Sequence, residues 1–211
     1  MRTRIKICGI RDVHHAHVAA RLGADAIGLV FYEPSPRNVD PGLAREIVAT
    51  LPPFVTPVAL FVNPGGAEVE RVLKTCPVSM LQFHGDEDAA FCASFGLPYL
   101  KAVRVRPGLD LLEYFASFES AAGWLLDAYR PGLYGGSGEA FDWDLIPAGL
   151  GKPIVLSGGL TPQNVAEAVR RVRPWAVDVS SGVEIAKGQK DEQLIAAFIA
   201  AVHAGNDHAD V

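Results

Sequence analysis

Cys8, Asp127, His84, Arg37 and Asp178 are the side chains of this sequence whose types and settings could do chemistry together. A thiolate takes up a proton, a carboxylic acid gives one up, an imidazole does either near neutrality, and a guanidinium holds a carboxylate on two parallel bonds. Cys8 ends the short apolar run 4–7 and precedes Gly9, the setting of a strand that gives way to a turn. Asp127 closes Trp124-Leu125-Leu126. Apolar neighbours behind it would raise its pKa and keep it protonated as a general acid; the plainer reading is an Asp capping the next turn. Along a strand every second side chain shares a face, so Lys6 goes with Cys8, Gln82 with His84 and Asp178 with Ser180. An inward Lys6 would favour the Cys8 thiolate. His84 has two readings, a substrate contact or a hydrogen bond at a strand end.

Two turns have the chemistry of a phosphate cradle: Ser157-Gly158-Gly159-Leu160 and Ser180-Ser181-Gly182-Val183. Glycine lets the backbone come close, main-chain N–H groups and Ser hydroxyls donate to phosphate oxygens, and a following helix adds its dipole. Arg37 lies in Ser35-Pro36-Arg37-Asn38, where proline stiffens the loop that would aim a guanidinium at a carboxylate. By contrast, His14, His15 and His17 read as a solvated helix face, and Cys76 and Cys92 as packing.

What positions these groups is a strand–helix alternation. Apolar runs with strand character fall at 5–7, 26–31, 58–62, 79–83, 99–103, 124–127, 154–156 and 176–179, and helical patterns at 13–22, 42–51, 67–75, 88–95, 165–172 and 192–203. Asn63-Pro64, Asp86 and Thr161-Pro162 mark helix entries, and Gly23 and Gly96 follow helix ends. Such alternation gives a parallel sheet covered by helices. Eight units in 211 residues favour closure into a single (β/α)8 TIM barrel of the α/β class. The open dinucleotide-binding alternative lacks its fingerprint, because the first turn is Cys8-Gly9-Ile10-Arg11 rather than G-x-G-x-x-G. In a closed barrel every strand exit faces one mouth, and the loops after strands seven and eight are the usual phosphate position. The barrel is expected over residues 1–204, with a polar tail at 205–211 that frays. The glycine-rich stretch 130–142 reads as a lid.

The net charge of −5 gives no basic stripe for nucleic acid. No apolar run approaches the roughly 18 residues of a membrane span. Three widely spaced cysteines without C-x-x-C read as reduced cytoplasmic thiols rather than a disulfide or zinc framework. No metal site is expected.

In order along the chain, Lys6-Ile7-Cys8-Gly9-Ile10, Ser35-Pro36-Arg37, Leu81-Gln82-Phe83-His84-Gly85 and Leu125-Leu126-Asp127 are followed by G-G-S-G-E-A-F-D-W at 135–143, Ser157-Gly158-Gly159-Leu160 and D-V-S-S-G-V-E at 178–184. Together they resemble the phosphoribosylanthranilate isomerase family of tryptophan biosynthesis. The resemblance implies an Amadori rearrangement of N-(5-phosphoribosyl)anthranilate to 1-(2-carboxyphenylamino)-1-deoxyribulose 5-phosphate, with no cofactor. It implies Asp127 as general acid on the ring oxygen, Cys8 as general base at the sugar C2, Arg37 on the anthranilate carboxylate, and Gly158, Gly159, Ser180, Ser181 and Gly182 on the phosphate. His84 and Asp178 match positions near the substrate. A monomer or homodimer is implied, compatible with association with another tryptophan-pathway enzyme. Phe83, Ser137 and Ser157 depart from the family's commoner Leu, Thr and Ala without removing a proposed catalytic group.

Three alternatives define what else the same barrel could be. The histidine-pathway isomerase does the same rearrangement on a phosphoribosyl aminoimidazole, but resembles this chain less, having an Asp where Cys8 stands and a substrate with two phosphates. A Schiff-base aldolase would use Lys101 or Lys6 as nucleophile. A non-catalytic barrel would bind a phosphorylated ligand without turning it over.

Overall fold

The computed structural model describes residues 2–128 and 141–207. Eight strands, β1 (Arg4–Cys8), β2 (Ala26–Phe31), β3 (Thr56–Phe61), β4 (Met80–Phe83), β5 (Tyr99–Val105), β6 (Gly123–Ala128), β7 (Ile154–Leu156) and β8 (Ala176–Val179), pair in parallel in chain order. Pairing of β1 with β8 closes the barrel. Three runs keep their expected bounds and the others move by one or two residues.

Helices α1 (Val13–Leu22), α2 (Pro41–Ala49), α3 (Gly66–Thr75), α4 (Ala89–Ala93), α5 (Leu111–Ala116), α6 (Val165–Val172) and α7 (Glu192–Asp207) cover it. Asp side chains start four of them: Asp12, Asp40, Asp88 and Asp110 accept from main-chain N–H groups of the first turn. The entry to α4 is therefore capped by Asp88, two residues beyond the Asp86 read from the sequence. Between β6 and β7 the described residues hold one 3-10 turn, Trp143–Leu145. Nearly all of the expected lid lies outside the described residues.

Two departures matter. A hairpin, β9 (Glu184–Ala186) and β10 (Gln189–Lys190), stands between β8 and α7. The tail expected from residue 205 also needs correction, since α7 continues to Asp207. Gly205 is buried there, and Asn206 Oδ1 accepts from Thr3 N and Oγ1 at 3.1 and 2.8 Å, so these residues are tied to the residue that precedes the first strand.

Period-two alternation divides the strands' side chains between two cores. Outward residues such as Ile5, Ile7, Ile27, Leu29, Phe61, Phe83 and Leu126 pack against the helices, each full burial contributing roughly 1.5–3 kcal/mol. Inward, Leu100, Ala102, Leu125, Val155 and Ala176 make an apolar floor. Cys8, Val30, Leu60 and Val62 line the other end, with Tyr32 against them. Polar groups fill the level between. No helix among the described residues is long and apolar enough to cross a membrane.

Candidate active site

At the C-terminal mouth of the barrel a cavity is lined by Cys8, Arg37, Gln82, His84, Asp127, Ser157, Asp178 and Ser180, with Tyr32, Ser35 and the apolar residues Val30, Leu60 and Val62. Six of the residues read from the sequence thus converge. The cavity is small, about 60 Å³. A larger one of about 530 Å³ lies at the opposite end, lined by Arg2, Lys152, Arg173 and Trp175 among others. None of the paired acid–base groups reaches it, so the smaller cavity is the candidate site.

Strand β1 delivers Lys6 and Cys8 inward. Lys6 Nζ donates to Asp178 Oδ1 at 2.8 Å across the β1–β8 seam, and Ser157 Oγ stands 3.5 Å from Asp178 Oδ2. Burial alone would lower the Lys6 pKa, but Asp178 and Cys8 outweigh it and the ammonium is favoured. For Cys8 the balance is the reverse of the sequence reading. Burial pushes its thiol up, and Lys6 and Lys190 recover only part of that shift. Lys6 does favour the thiolate locally; desolvation of the thiolate costs more.

Strands β4 and β6 build the second group. His84 Nε2 lies 2.9 Å from Asp127 Oδ2, and Gln82 Nε2 lies 2.9 Å from His84 Nδ1. With the amide donating, the ring proton is assigned to Nε2 and is donated to Asp127. Asp127 Oδ1 accepts from Ala128 N at 2.8 Å, the turn-capping contact, while Oδ2 faces the imidazole. Gln82 Oε1 is buried without a partner. The sequence signal for Gln82 was its place on the His84 face.

The two glycine turns touch. A Cβ on Gly182 would meet Leu160 O at 1.9 Å, and one on Gly158 would meet Ala128 N at 2.3 Å and Asp127 Oδ1 at 2.7 Å. Gly158 and Gly159 have φ of +82° and +66°, a conformation that turns successive N–H groups to one side and costs glycine little. Ser180 lines the cavity, whereas Gly158, Gly159, Ser181 and Gly182 are not among its lining residues. Ser181 opens a 3-10 turn, Ser181–Val183.

Arg37 reaches the cavity already paired. Its Nε and Nη2 donate to the two carboxylate oxygens of Glu184, both at 2.8 Å. Lys190 Nζ donates to Glu184 Oε1 at 2.8 Å and to Ser180 O at 2.9 Å. Burial would raise the Glu184 pKa, yet the Arg37 bond and Lys190 hold it below its ordinary value. Burial lowers the Lys190 pKa despite Glu184. Neither residue was singled out from the sequence; Glu184 ended a motif there, while Lys190 carried no signal.

Lys101, the aldolase nucleophile considered above, is on the outer face of β5. Fully buried, it donates to Gly85 O and Glu87 Oε2, both at 2.7 Å. Facing away from the cavity, it has no access to a carbonyl there, and the aldolase reading loses it. Among the described residues, no three His, Cys, Asp or Glu side chains are placed to hold a metal ion.

Residues 5–201 match the family model for N-(5'-phosphoribosyl)anthranilate (PRA) isomerase. The N-(5'-phosphoribosyl)anthranilate isomerase of Dechloromonas aromatica (strain RCB) is 57% identical over 98% of this chain and 99% of its own. The phosphoribosyl anthranilate isomerase of Thermotoga maritima superposes with a TM-score of 0.88 at 38% identity, over 95% of this chain and 98% of that one. A second such structure, at 0.82 and 36% over the same shares, holds reduced 1-(o-carboxyphenylamino)-1-deoxyribulose 5-phosphate. A third, at 0.80 and 35% over 95% and 98%, is of monomers generated from the dimeric Thermotoga maritima enzyme.

Proposed function

The chain belongs to the N-(5'-phosphoribosyl)anthranilate isomerase family and converts N-(5'-phosphoribosyl)anthranilate to 1-(2-carboxyphenylamino)-1-deoxyribulose 5-phosphate in tryptophan biosynthesis; we propose that Cys8 and Asp127 are its base and acid. The supporting observation is that the thiol and the carboxyl, 119 residues apart in sequence, line one cavity with Arg37 and Ser180 beside them. Asp127 gives its proton to the furanose ring oxygen, and the C1–O bond breaks to leave a protonated Schiff base. Cys8, as thiolate, takes the proton from C2, giving an enolamine. That enolamine tautomerises to the ketone, so the rearrangement neither gains nor loses a proton overall.

His84 and Gln82 can accommodate the acid in its protonated form. A proton carried by Asp127 calls for His84 to accept through Nε2 and bear its own hydrogen on Nδ1. The Gln82 amide can turn to accept that hydrogen through Oε1, the atom now without a partner. Asp178 holds Lys6 as the ammonium that faces the thiolate. Arg37 takes the anthranilate carboxylate. Gly158, Gly159, Ser180, Ser181 and Gly182 take the phosphate, their glycine conformations and the nearby start of α6 being suited to an anion.

A cytoplasmic location and a chain working as a monomer or a homodimer belong to the same proposal. Three unpaired thiols support the first, and sedimentation equilibrium of the purified chain separates the two states of the second. The catalytic roles are tested by following the loss of substrate fluorescence, with substrate generated in situ. Cys8→Ala and Asp127→Asn should each lose at least about 10²-fold in kcat while keeping the wild-type melting temperature. Near-wild-type turnover would remove that residue from the mechanism.

A further inference from the structure

We propose that Glu184 is a positioning residue that fixes the Arg37 guanidinium by one edge and leaves the other edge to clamp the substrate carboxylate. The inference rests on Arg37 being the carboxylate clamp. A guanidinium has five N–H donors arranged on a planar fork. Glu184 uses one from Nε and one from Nη2, along the edge that faces β9. Nη1 has no hydrogen-bond partner among the described residues, so the Nη1/Nη2 edge keeps three donors, enough for a second bidentate carboxylate.

The surroundings immobilise both partners. The Arg37 stem is trapped against Gly9, where a Cβ would meet Arg37 Cδ at 2.7 Å. The hairpin turn rests on the same loop, since a Cβ on Gly188 would meet Pro36 O at 2.5 Å. Glu184 is held in turn by Lys190 Nζ at 2.8 Å and Gly188 N at 3.2 Å, its side chain only 4% exposed. Lys190 also donates to Ser180 O and Oγ, at 2.9 and 3.3 Å, which ties the clamp to the proposed phosphate turn. Two cations share one carboxylate here, and a second carboxylate on the free edge of Arg37 completes the pairing. The β9–β10 hairpin thereby acquires a purpose: it sets the distance between the groups that hold the two ends of the substrate.

Kinetics of Glu184→Gln, Glu184→Asp, Arg37→Met and the Glu184→Gln/Arg37→Met double variant test this, together with inhibition by the reduced product 1-(o-carboxyphenylamino)-1-deoxyribulose 5-phosphate and by inorganic phosphate. Loss of one charge-assisted hydrogen-bond pair corresponds to about 10- to 100-fold in affinity. Glu184→Gln should raise KM and weaken the reduced product by that factor, with kcat within about threefold of wild type and inhibition by inorganic phosphate unchanged. Glu184→Asp should recover part of the loss, and the double variant should be no worse than Arg37→Met alone. If Arg37→Met raises KM but Glu184→Gln leaves it unchanged or lowers it, Glu184 does not position the clamp. The proposal also falls if kcat, phosphate inhibition and melting temperature all drop together, the mark of a merely structural role. If Arg37→Met itself leaves KM unchanged, the carboxylate reading of Arg37 fails first and takes this inference with it.

Discussion

At the scale of single residues, the Cys8 thiol must lose its proton before it can act, and its environment resists that loss. Burial raises the pKa above the ordinary 9.0, while Lys6 and Lys190 pull it back in part. The active form is the deprotonated one, so a raised pKa moves the rising limb of the pH profile upward. We expect kcat/KM, which reports the free enzyme, to be still rising at about pH 9. Lys6→Met should shift that limb further up, because it removes the larger of the two opposing positive charges and leaves only Lys190 against desolvation. A plateau reached by pH 7.5 in the wild type would show that the free thiol is not held back in this way.

At the scale of elements, strand register decides how much room the base has. Gly28 of β2 is paired with Cys8 of β1, and a Cβ there would stand 2.6 Å from Cys8 Sγ and 3.0 Å from Lys6 Nζ. Ladders to β1 and β3 fix the β2 backbone on both sides, so the thiol and the ammonium would have to move instead. Gly28→Ala should lower kcat by about 10²-fold through misplacement of the base. Its cost in stability should be no more than about 1–3 kcal/mol, as for other overpacked sites. Unchanged turnover in a folded Gly28→Ala variant would mean that Cys8 tolerates displacement, or is not the base. Gly28 was invisible as a site residue in the sequence, where it is one glycine within an apolar run. The hairpin β9–β10 was missed for a related reason: Glu184-Ile185-Ala186 and Gln189-Lys190 are too short to display a period and lack the continuous apolar run that marked β7.

At the scale of the whole molecule, the fold excludes its cysteines from water, and this links stability to pH. Burial raises the Cys76 thiol to about 11 and the Cys92 thiol to about 12, from an ordinary 9.0. Above pH 9 the unfolded chain releases these protons while the folded chain keeps them. The unfolded state then binds fewer protons, and stability falls as pH rises. The loss runs from pH 9 to about 11 for Cys76 and to about 12 for Cys92. Each thiol contributes about 1.4 kcal/mol per pH unit within its window. Urea midpoints should therefore decline between pH 9 and 11, and less steeply in Cys76→Ala and Cys92→Ala variants compared with their own values at pH 8. A decline of equal slope in both variants would locate the titrating groups elsewhere.

Strand–helix alternation, the order of the eight strands and the side chains at their exits were legible in the residues alone. These depend on local backbone geometry: period two places Cys8, His84, Asp127 and Asp178 inward once a run is recognised as a strand, and one shared mouth follows from closure. Which of those groups touch, and with what electrostatic result, was settled by how the elements pack. Lys6 meets Asp178 across 172 positions and Arg37 meets Glu184 across 147. Such partners are chosen by barrel closure and by a short hairpin, not by any repeat a sequence displays. The direction of the Cys8 shift was out of reach for the same reason: desolvation is a sum over everything packed around the sulfur, and that sum exists only in the folded chain.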